Sequence, residues 1–159
     1  MKNQQGAGLI EVLIALLVLA IGLLGLGALQ TQSLKFNNES YFRTQATLLA
    51  MDMADRLRAN KDYARTSSSN YTFTVSDSST SAIDACESTA CSPGELAQYD
   101  FKQWKDRVEQ ALPGGKVSLA PLPNATGSPA TDSQAYKIEI SYQAPDSTSA
   151  QTFTYRVRI

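Results

Sequence analysis

The apolar residues of this 159-residue chain are concentrated at its N-terminus. Residues 12–29 carry no polar side chain, and the apolar residues 7–10 extend this run toward the N-terminus. As a helix, residues 12–29 would be about 27 Å long, close to the roughly 30 Å hydrocarbon thickness of a bilayer. A removed secretory signal would instead have a shorter apolar core, a basic start and a small-residue cleavage site. The pattern therefore predicts a membrane-spanning helix.

Beyond residue 29 the pattern becomes amphipathic. Apolar residues recur at steps of four, three, four and four, which is helical periodicity: Phe42, Ala46, Leu49, Met53 and Leu57. The opposite face carries mainly charged residues of both signs: Glu39, Arg43, Gln45, Asp52, Asp55, Arg56 and Arg58. Because acids are interleaved with the arginines, this face is expected to be solvated rather than to bind nucleic acid. These features predict one long helix from about residue 9 to residue 60, its first half in lipid and its second half against a domain.

The rest of the chain predicts an α+β domain. Residues 65–93 are rich in Ser, Thr, Ala and Asp and are expected to form a loop, interrupted by a short strand at residues 71–75. A helical pattern follows at residues 96–112 and ends at the Pro113-Gly114-Gly115 turn. Strands are predicted at residues 116–119, 135–143 and 151–159, each with one apolar face. These faces favour an antiparallel meander packed on the second half of the long helix, with Trp104 in the core.

Composition offers little support for catalysis or for nucleic-acid binding. The net charge is −1, from 14 basic and 15 acidic residues, and the chain has no histidine. The commonest general base and zinc ligand is therefore missing. We find no nucleophile elbow, phosphate-binding glycine loop or metal-ligand spacing. We expect no catalytic residue, no cofactor and no metal site.

The two cysteines, Cys86 and Cys91, lie five residues apart. A structural zinc site would need further ligands from elsewhere in the chain, none of them histidine. In an oxidising compartment the pair would close a small loop as a disulfide. Basic residues flank the apolar run on both sides, so they do not decide its orientation. The long polar part and the cysteine pair favour export of the C-terminal part.

Glu11 is the least expected residue of the apolar run. An ionised carboxylate at membrane depth costs on the order of 2.5 kcal/mol or more unless it is paired or near the interface. One interpretation places it among the lipid headgroups. Another follows from Gly6, because a cut after this glycine would create an amine on Ala7, one helical turn before Glu11.

Gly6 followed by AGLIEVLIALL resembles the type III signal of type IV pilins and pseudopilins. The residue after the cut is Ala7, where that family usually has Phe or Met. The resemblance implies cleavage by a prepilin peptidase between Gly6 and Ala7, N-methylation of Ala7, and pairing of Glu11 with a neighbouring subunit during assembly. It also implies a leader at residues 1–6, a transmembrane and filament-core segment at residues 7–29, and a periplasmic pilin-like domain at residues 30–159.

Three glycines, Gly22, Gly25 and Gly27, lie in the second half of the membrane segment. They are suited to close helix packing, since small residues let neighbouring helices approach. They also weaken the helix, by roughly 1 kcal/mol each relative to alanine. In the resembled family, part of this helix can melt as subunits pack, and the two interpretations are compatible.

Residues 46–60 and 101–119 also resemble the corresponding parts of PilV-type minor pilins. This implies a minor pilin that primes or supports type IV pilus assembly, for attachment and twitching motility. Its partners would be the prepilin peptidase, other minor pilins, the major pilin, the inner-membrane assembly platform and a tip adhesin. It would reside in the inner membrane, with a periplasmic C-terminal domain, and then in the pilus on the cell surface. The alternatives are a minor pseudopilin of type II secretion and a signal-anchored periplasmic binding domain that does not polymerise.

Overall fold

A computed structural model describes residues 7–66, 71–74, 83–88, 90–122, 134–144 and 148–159. Its helices are α1 (Ala7–Ala59), α2 (Lys61–Thr66), α3 (Ile83–Ser88) and α4 (Pro93–Ala111). Its strands are β1 (Lys116–Pro121), β2 (Ala135–Tyr142) and β3 (Gln151–Arg158). The predicted α+β class is confirmed. The chain divides into two compact units, Met1–Ser40 and Tyr41–Ile159.

Helix α1 confirms the long helix predicted from the apolar periodicity, with bounds within two residues. No proline interrupts residues 7–59, so every internal amide can donate to the preceding turn. The helix ends at Ala59, and the side-chain amide of the next residue, Asn60, donates to the Tyr71 hydroxyl and to the Pro93 carbonyl, both at 2.8 Å. Burial raises the pKa of Tyr71 to about 12. Asn60 thus connects the end of α1 to two later segments of the chain.

The three strands form an antiparallel sheet in the order β1-β2-β3, which confirms the predicted meander. In β2, Tyr136, Ile138, Ile140 and Tyr142 are buried and the intervening residues are partly exposed, as the alternation predicted. Strand β1 continues to Pro121, two residues beyond its predicted end. The strand predicted at residues 71–75 is reduced to one antiparallel bridge, in which Phe73 and Leu119 exchange backbone hydrogen bonds. Val75 lies outside the described residues.

One hydrophobic core joins the second half of α1, helix α4 and the inner face of the sheet. Its largest fully buried side chains are Trp104, Tyr71, Tyr136, Phe101, Met53 and Leu57. The indole N–H of Trp104 donates to the Leu49 carbonyl at 2.7 Å, and the Tyr136 hydroxyl donates to the Ala64 carbonyl at 2.7 Å. These bonds satisfy the polar atoms that the two side chains bring into the core. The expectation that Trp104 is a core residue is confirmed.

Helix α4 begins at Pro93, three residues before its predicted start. Ser92 forms a capping box with Glu95, in which the Ser92 backbone N–H donates to the carboxylate at 2.7 Å and the Ser92 hydroxyl accepts from the Glu95 amide at 3.4 Å. The hydrogen bonds from the Ser92 hydroxyl and N–H lower the pKa of Glu95. The capping signal is present in the sequence as Ser92-Pro93-Gly94-Glu95.

A disulfide joins Cys86 in α3 to Cys91 just before α4, with the two Cα atoms 5.0 Å apart. Residues 83–88 form a short helix where the sequence predicted a loop. Helix α2 lies between the predicted end of the long helix and the predicted loop, and only its last two residues, Arg65 and Thr66, fall within that loop. Such one- to two-turn helices depend on tertiary contacts rather than on sequence periodicity, which explains why the pattern did not reveal them.

Arg56 corrects the expectation that the charged face of α1 is solvated. Its guanidinium lies 2.6 Å from the Asp100 carboxylate of α4, and the two side chains are only 15% and 12% exposed. Arg56 also lies 3.4 Å from Asp52, which in turn lies 3.1 Å from Arg107. This ion-pair cluster links α1 to α4, because α4 packs against the edge of the α1 face that the sequence pattern left to solvent.

Replacement of Asp100 by asparagine is expected to alter how stability depends on pH. Burial raises the pKa of the Asp100 carboxyl, and the Arg56 guanidinium opposes this shift without cancelling it. Because the folded-state pKa lies above the unfolded value of about 3.9, the folded state holds the proton more tightly. Wild type should therefore lose stability relative to Asp100→Asn as the pH rises from about 3 to 7. Urea unfolding of the full chain in detergent micelles, followed by fluorescence of the single tryptophan, measures this difference.

Gln110→Ala provides the control for this experiment, since Gln110 is exposed on α4 and carries no ionisable group. It should retain the wild-type dependence of unfolding free energy on pH. Equal pH dependence in wild type and Asp100→Asn would contradict the assigned burial effect.

Candidate processing and assembly segment

Residues 7–40 lie entirely on α1, and the apolar surface of residues 8–40 is exposed. The large apolar side chains from Leu9 to Leu29 range from 56% exposed at Leu16 to 76% at Leu24. So much contiguous apolar surface is unfavourable in water and marks a surface that contacts lipid or other proteins. This segment therefore needs a lipid or protein environment.

The same helix is long and apolar enough to cross a membrane. An 18-residue window has a mean hydropathy of 2.9, and none of that window is buried within the protein. A helix of about 20 residues spans the hydrocarbon region of a bilayer. The helix fits membrane anchoring.

Ala7 and Glu11 lie at the start of this helix. Ala7 is the first residue of α1, and Glu11 follows four residues later, about 6 Å farther along the axis and on the same face. Glu11 is exposed and is the only charged residue between positions 7 and 34. A carboxylate near a helix N-terminus also interacts favourably with the positive end of the helix dipole. Gly6 lies outside the described residues, so the structure places Ala7 and Glu11 but not the predicted cleavage bond.

The three glycines of the segment lie within unbroken helix. A Cβ atom added at Gly22, Gly25 or Gly27 would meet no atom of the protein within 4 Å. The Gly27 carbonyl also accepts a hydrogen bond from the Thr31 hydroxyl at 3.0 Å. Among the described residues, no contact therefore requires glycine at these positions, whereas close packing of another helix would use the space.

The second half of α1 carries an apolar surface that the sequence interpretation missed. Tyr41, Leu48 and Met51 are 57%, 55% and 48% exposed, although Met53 and Leu57 of the same helix are fully buried. We call Tyr41, Leu48 and Met51 the outer stripe of α1. Their spacing of seven and three residues places them along one side of the helix, offset from the buried stripe. The sequence contains these residues as a second, shorter apolar repeat, but their exposure depends on which side of α1 the rest of the protein covers.

Two family models match the chain. The prokaryotic N-terminal methylation motif matches residues 1–27, which include Gly6, Ala7 and Glu11. The family described as type IV pilin Tt1218 matches residues 28–102, which include the second half of α1 and the first part of α4. The two matches are contiguous and together cover the whole of α1 and the first part of α4.

The chain belongs to the type IV pilin family. No curated protein and no solved structure matched it. Pilins are structural proteins, and the methylation motif implies processing by a prepilin peptidase and assembly with other pilins. The exposed apolar helix of this pilin fits both membrane anchoring and incorporation into a pilus.

Proposed function

We propose that this pilin is a minor pilin that primes or supports the assembly of type IV pili, which serve attachment and twitching motility. The observation that carries the proposal is the start of α1, where Glu11 lies one turn from Ala7 on a helix whose apolar surface is exposed. After cleavage at Gly6, the amine of Ala7 and the Glu11 carboxylate would be opposite charges at nearly the same depth in the membrane. Pairing between subunits would lower the cost of both charges as the helix leaves the lipid.

The minor role is supported by the resemblance of residues 46–60 and 101–119 to PilV-type minor pilins. The first block contributes Met53 and Leu57 to the core, and the second contributes Phe101 and Trp104. Under this proposal residues 1–6 are the leader, residues 7–29 form the membrane and filament-core segment, and residues 30–159 form the periplasmic domain. The partners are the prepilin peptidase, other minor pilins, the major pilin, the inner-membrane assembly platform and a tip adhesin.

The processed protein is expected to begin at Ala7 and to carry a methyl group on its amine. Intact-mass and N-terminal peptide mass spectrometry should show the loss of residues 1–6 when a prepilin peptidase is present. The matched control is the same protein from a strain without the peptidase, where the leader should remain. An intact leader in the presence of the peptidase would contradict the proposal.

Deletion of the gene for this protein tests whether it acts as a minor pilin or as an anchored domain that does not polymerise. The deletion strain should have fewer surface pili and less twitching, and complementation should restore both. Sheared pili from wild type should contain the protein at a small fraction of the major subunit. Its absence from pili, with normal piliation in the deletion strain, would favour the anchored domain, whereas a secretion defect with normal pili would favour the pseudopilin.

The outer stripe of α1 provides a test of subunit packing that leaves cleavage unaffected. Leu48→Glu combined with Met51→Glu should lower the amount of protein in sheared pili by about fivefold or more, because unpaired carboxylates would have to be buried between subunits. The free energy of unfolding should change by only about 0.5 kcal/mol, since both side chains are exposed. Immunoblots of sheared pili and urea unfolding measure the two effects.

Gln98→Glu combined with Gln110→Glu is the matched control, because it adds the same charge at two exposed positions of α4. It should leave the amount in pili close to wild type. A wild-type amount of the Leu48→Glu, Met51→Glu protein in pili would exclude the outer stripe from subunit packing.

A further inference from the structure

Strand β3 lies at one end of the sheet, and among the described residues its outer edge is free. Gln134 and Ile159 exchange both backbone hydrogen bonds, at 3.1 and 3.0 Å, and this sets the alternation of bonded pairs along β2 and β3. Four residues of β3 therefore direct their backbone N–H and C=O groups away from β2: Thr152, Thr154, Arg156 and Arg158. Within the described part of the chain, no segment pairs with this edge. Such an edge can accept a further strand.

The outer face beside this edge is positively charged. Arg156 lies directly opposite Lys137 in a non-hydrogen-bonded pair, where side chains approach most closely and like charges destabilise a sheet. The Lys137 ammonium lies 3.1 Å from Glu139, whereas no described carboxylate lies within ion-pair distance of Arg156 or Arg158. Beside this edge, three cations therefore share one carboxylate: Lys137, Arg156 and Arg158 share Glu139. Guanidinium groups are well suited to binding carboxylates in pairs of parallel hydrogen bonds.

The inner face at the same edge is apolar and incompletely covered. Phe153 and Tyr155 are half-buried, although their cross-strand neighbours Ile140 and Ile138 are fully buried. The core is thus covered over β2 but remains partly open beside β3. An added strand would place every second side chain over these two rings.

We propose that the edge of β3 binds an extended segment of a partner protein in which carboxylate side chains alternate with apolar ones. The backbone of the segment would pair with the free edge. Its carboxylates would lie on the outer face beside Arg156 and Arg158, and its apolar side chains would cover Phe153 and Tyr155. Because successive side chains of a strand point to opposite faces of the sheet, the carboxylates would lie on one face and the apolar side chains on the other.

A protein segment fits this surface better than a nucleic acid does. The outward side chains of the three described strands include no aromatic residue on which a base could stack. A nucleic acid bound through its phosphates would also use neither the open backbone edge nor the aromatic rings of the inner face. The proposal goes beyond pilus assembly and does not depend on the minor-pilin role, because the binding edge belongs to the folded unit itself.

The binding test uses the full chain in phosphatidylcholine nanodiscs and a fluorescein-labelled, blocked peptide, Thr-Glu-Val-Glu-Val-Glu-Val-Thr. Fluorescence anisotropy should show saturable binding. Replacement of the three glutamates by lysine, or of the central valine by proline, should weaken binding about tenfold or more. Hydrogen exchange should show new protection at the amides of Thr154 and Arg156, a result that charge attraction alone would not produce.

Charge reversal in the protein supplies the decisive comparison. Arg156→Glu combined with Arg158→Glu should weaken binding of the glutamate peptide about tenfold and should favour the lysine peptide. The control, Arg43→Glu combined with Lys61→Glu, makes the same charge change at two exposed positions outside the sheet and should leave binding within about twofold.

Several results would overturn the proposal: no saturable binding of the glutamate peptide, binding unaffected by the Arg156→Glu, Arg158→Glu change, or protection confined to other strands. Saturable binding of a 20-base-pair DNA duplex without binding of the peptide would assign the basic face to nucleic acid instead. None of these results would alter the expected processing at Gly6 or the pilus counts, so the two proposals fail independently.

Discussion

Replacing Glu11 with alanine is expected to reduce surface pili about tenfold while leaving cleavage after Gly6 nearly normal. Under the proposed function, the carboxylate pairs with the Ala7 amine of a neighbouring subunit. Loss of a close charge pair in a low-dielectric setting costs a few kcal/mol, and about 1.4 kcal/mol corresponds to a factor of ten. Cleavage should persist because Glu11 lies about one helical turn beyond the bond that the peptidase cuts. Pili are counted by electron microscopy, and cleavage is followed by mass spectrometry.

Two further variants, each expressed in the deletion strain, serve as comparisons for Glu11→Ala. Glu11→Asp keeps the charge and should retain part of the piliation. Glu39→Ala removes the other carboxylate of residues 7–40. Because Glu39 lies beyond the apolar run, this variant should retain most of the wild-type piliation. Wild-type piliation by Glu11→Ala would remove the pairing role assigned to Glu11.

Replacing Phe101 with alanine is expected to destabilise residues 41–159 by about 3–5 kcal/mol. Phe101 is 1% exposed. Its ring stacks on that of Phe73 with the centroids 4.4 Å apart, and its centroid lies 5.9 Å from that of Trp104. Its removal would leave a cavity at the junction of α4, the Phe73 bridge and the core, because the surrounding helix and sheet can collapse only in part. Urea unfolding of the full chain in detergent micelles, followed by Trp104 fluorescence, measures the loss.

Gln110→Ala on the exposed side of α4 should change the free energy of unfolding by only about 0.5 kcal/mol. Phe101→Leu keeps most of the apolar volume and should cost less than Phe101→Ala. A Phe101→Ala protein as stable as wild type would show that this aromatic contact does not support the fold.

Regular periodicity explains which elements the sequence predicted well. The long uninterrupted apolar and amphipathic pattern identifies α1, and strict alternation in β2 identifies a half-buried strand, since each pattern matches only one backbone repeat. The start of α4 was predicted three residues late, although the capping signal from Ser92 to Glu95 is local and readable. The helices α2 and α3 carry no comparable local signal.

The candidate functional segment was largely predictable from local sequence. Gly6, Ala7 and Glu11 are defined by their spacing at the edge of an apolar run, and the methylation-motif match covers all three. The outer stripe of α1 was not predicted, because Leu48 and Met51 are apolar residues that a sequence pattern alone would assign to a core. Their exposure depends on which side of α1 the sheet and α4 cover.

Local backbone periodicity is sufficient to set the length of α1, the position of Glu11 at its start, and the alternation of the strands. Packing between distant segments pairs Arg56 with Asp100, while Leu48 and Met51 remain exposed. The strand order places Arg156 and Arg158 on an edge strand. A periodic pattern groups residues onto faces, but burial depends on which distant segment packs against each face.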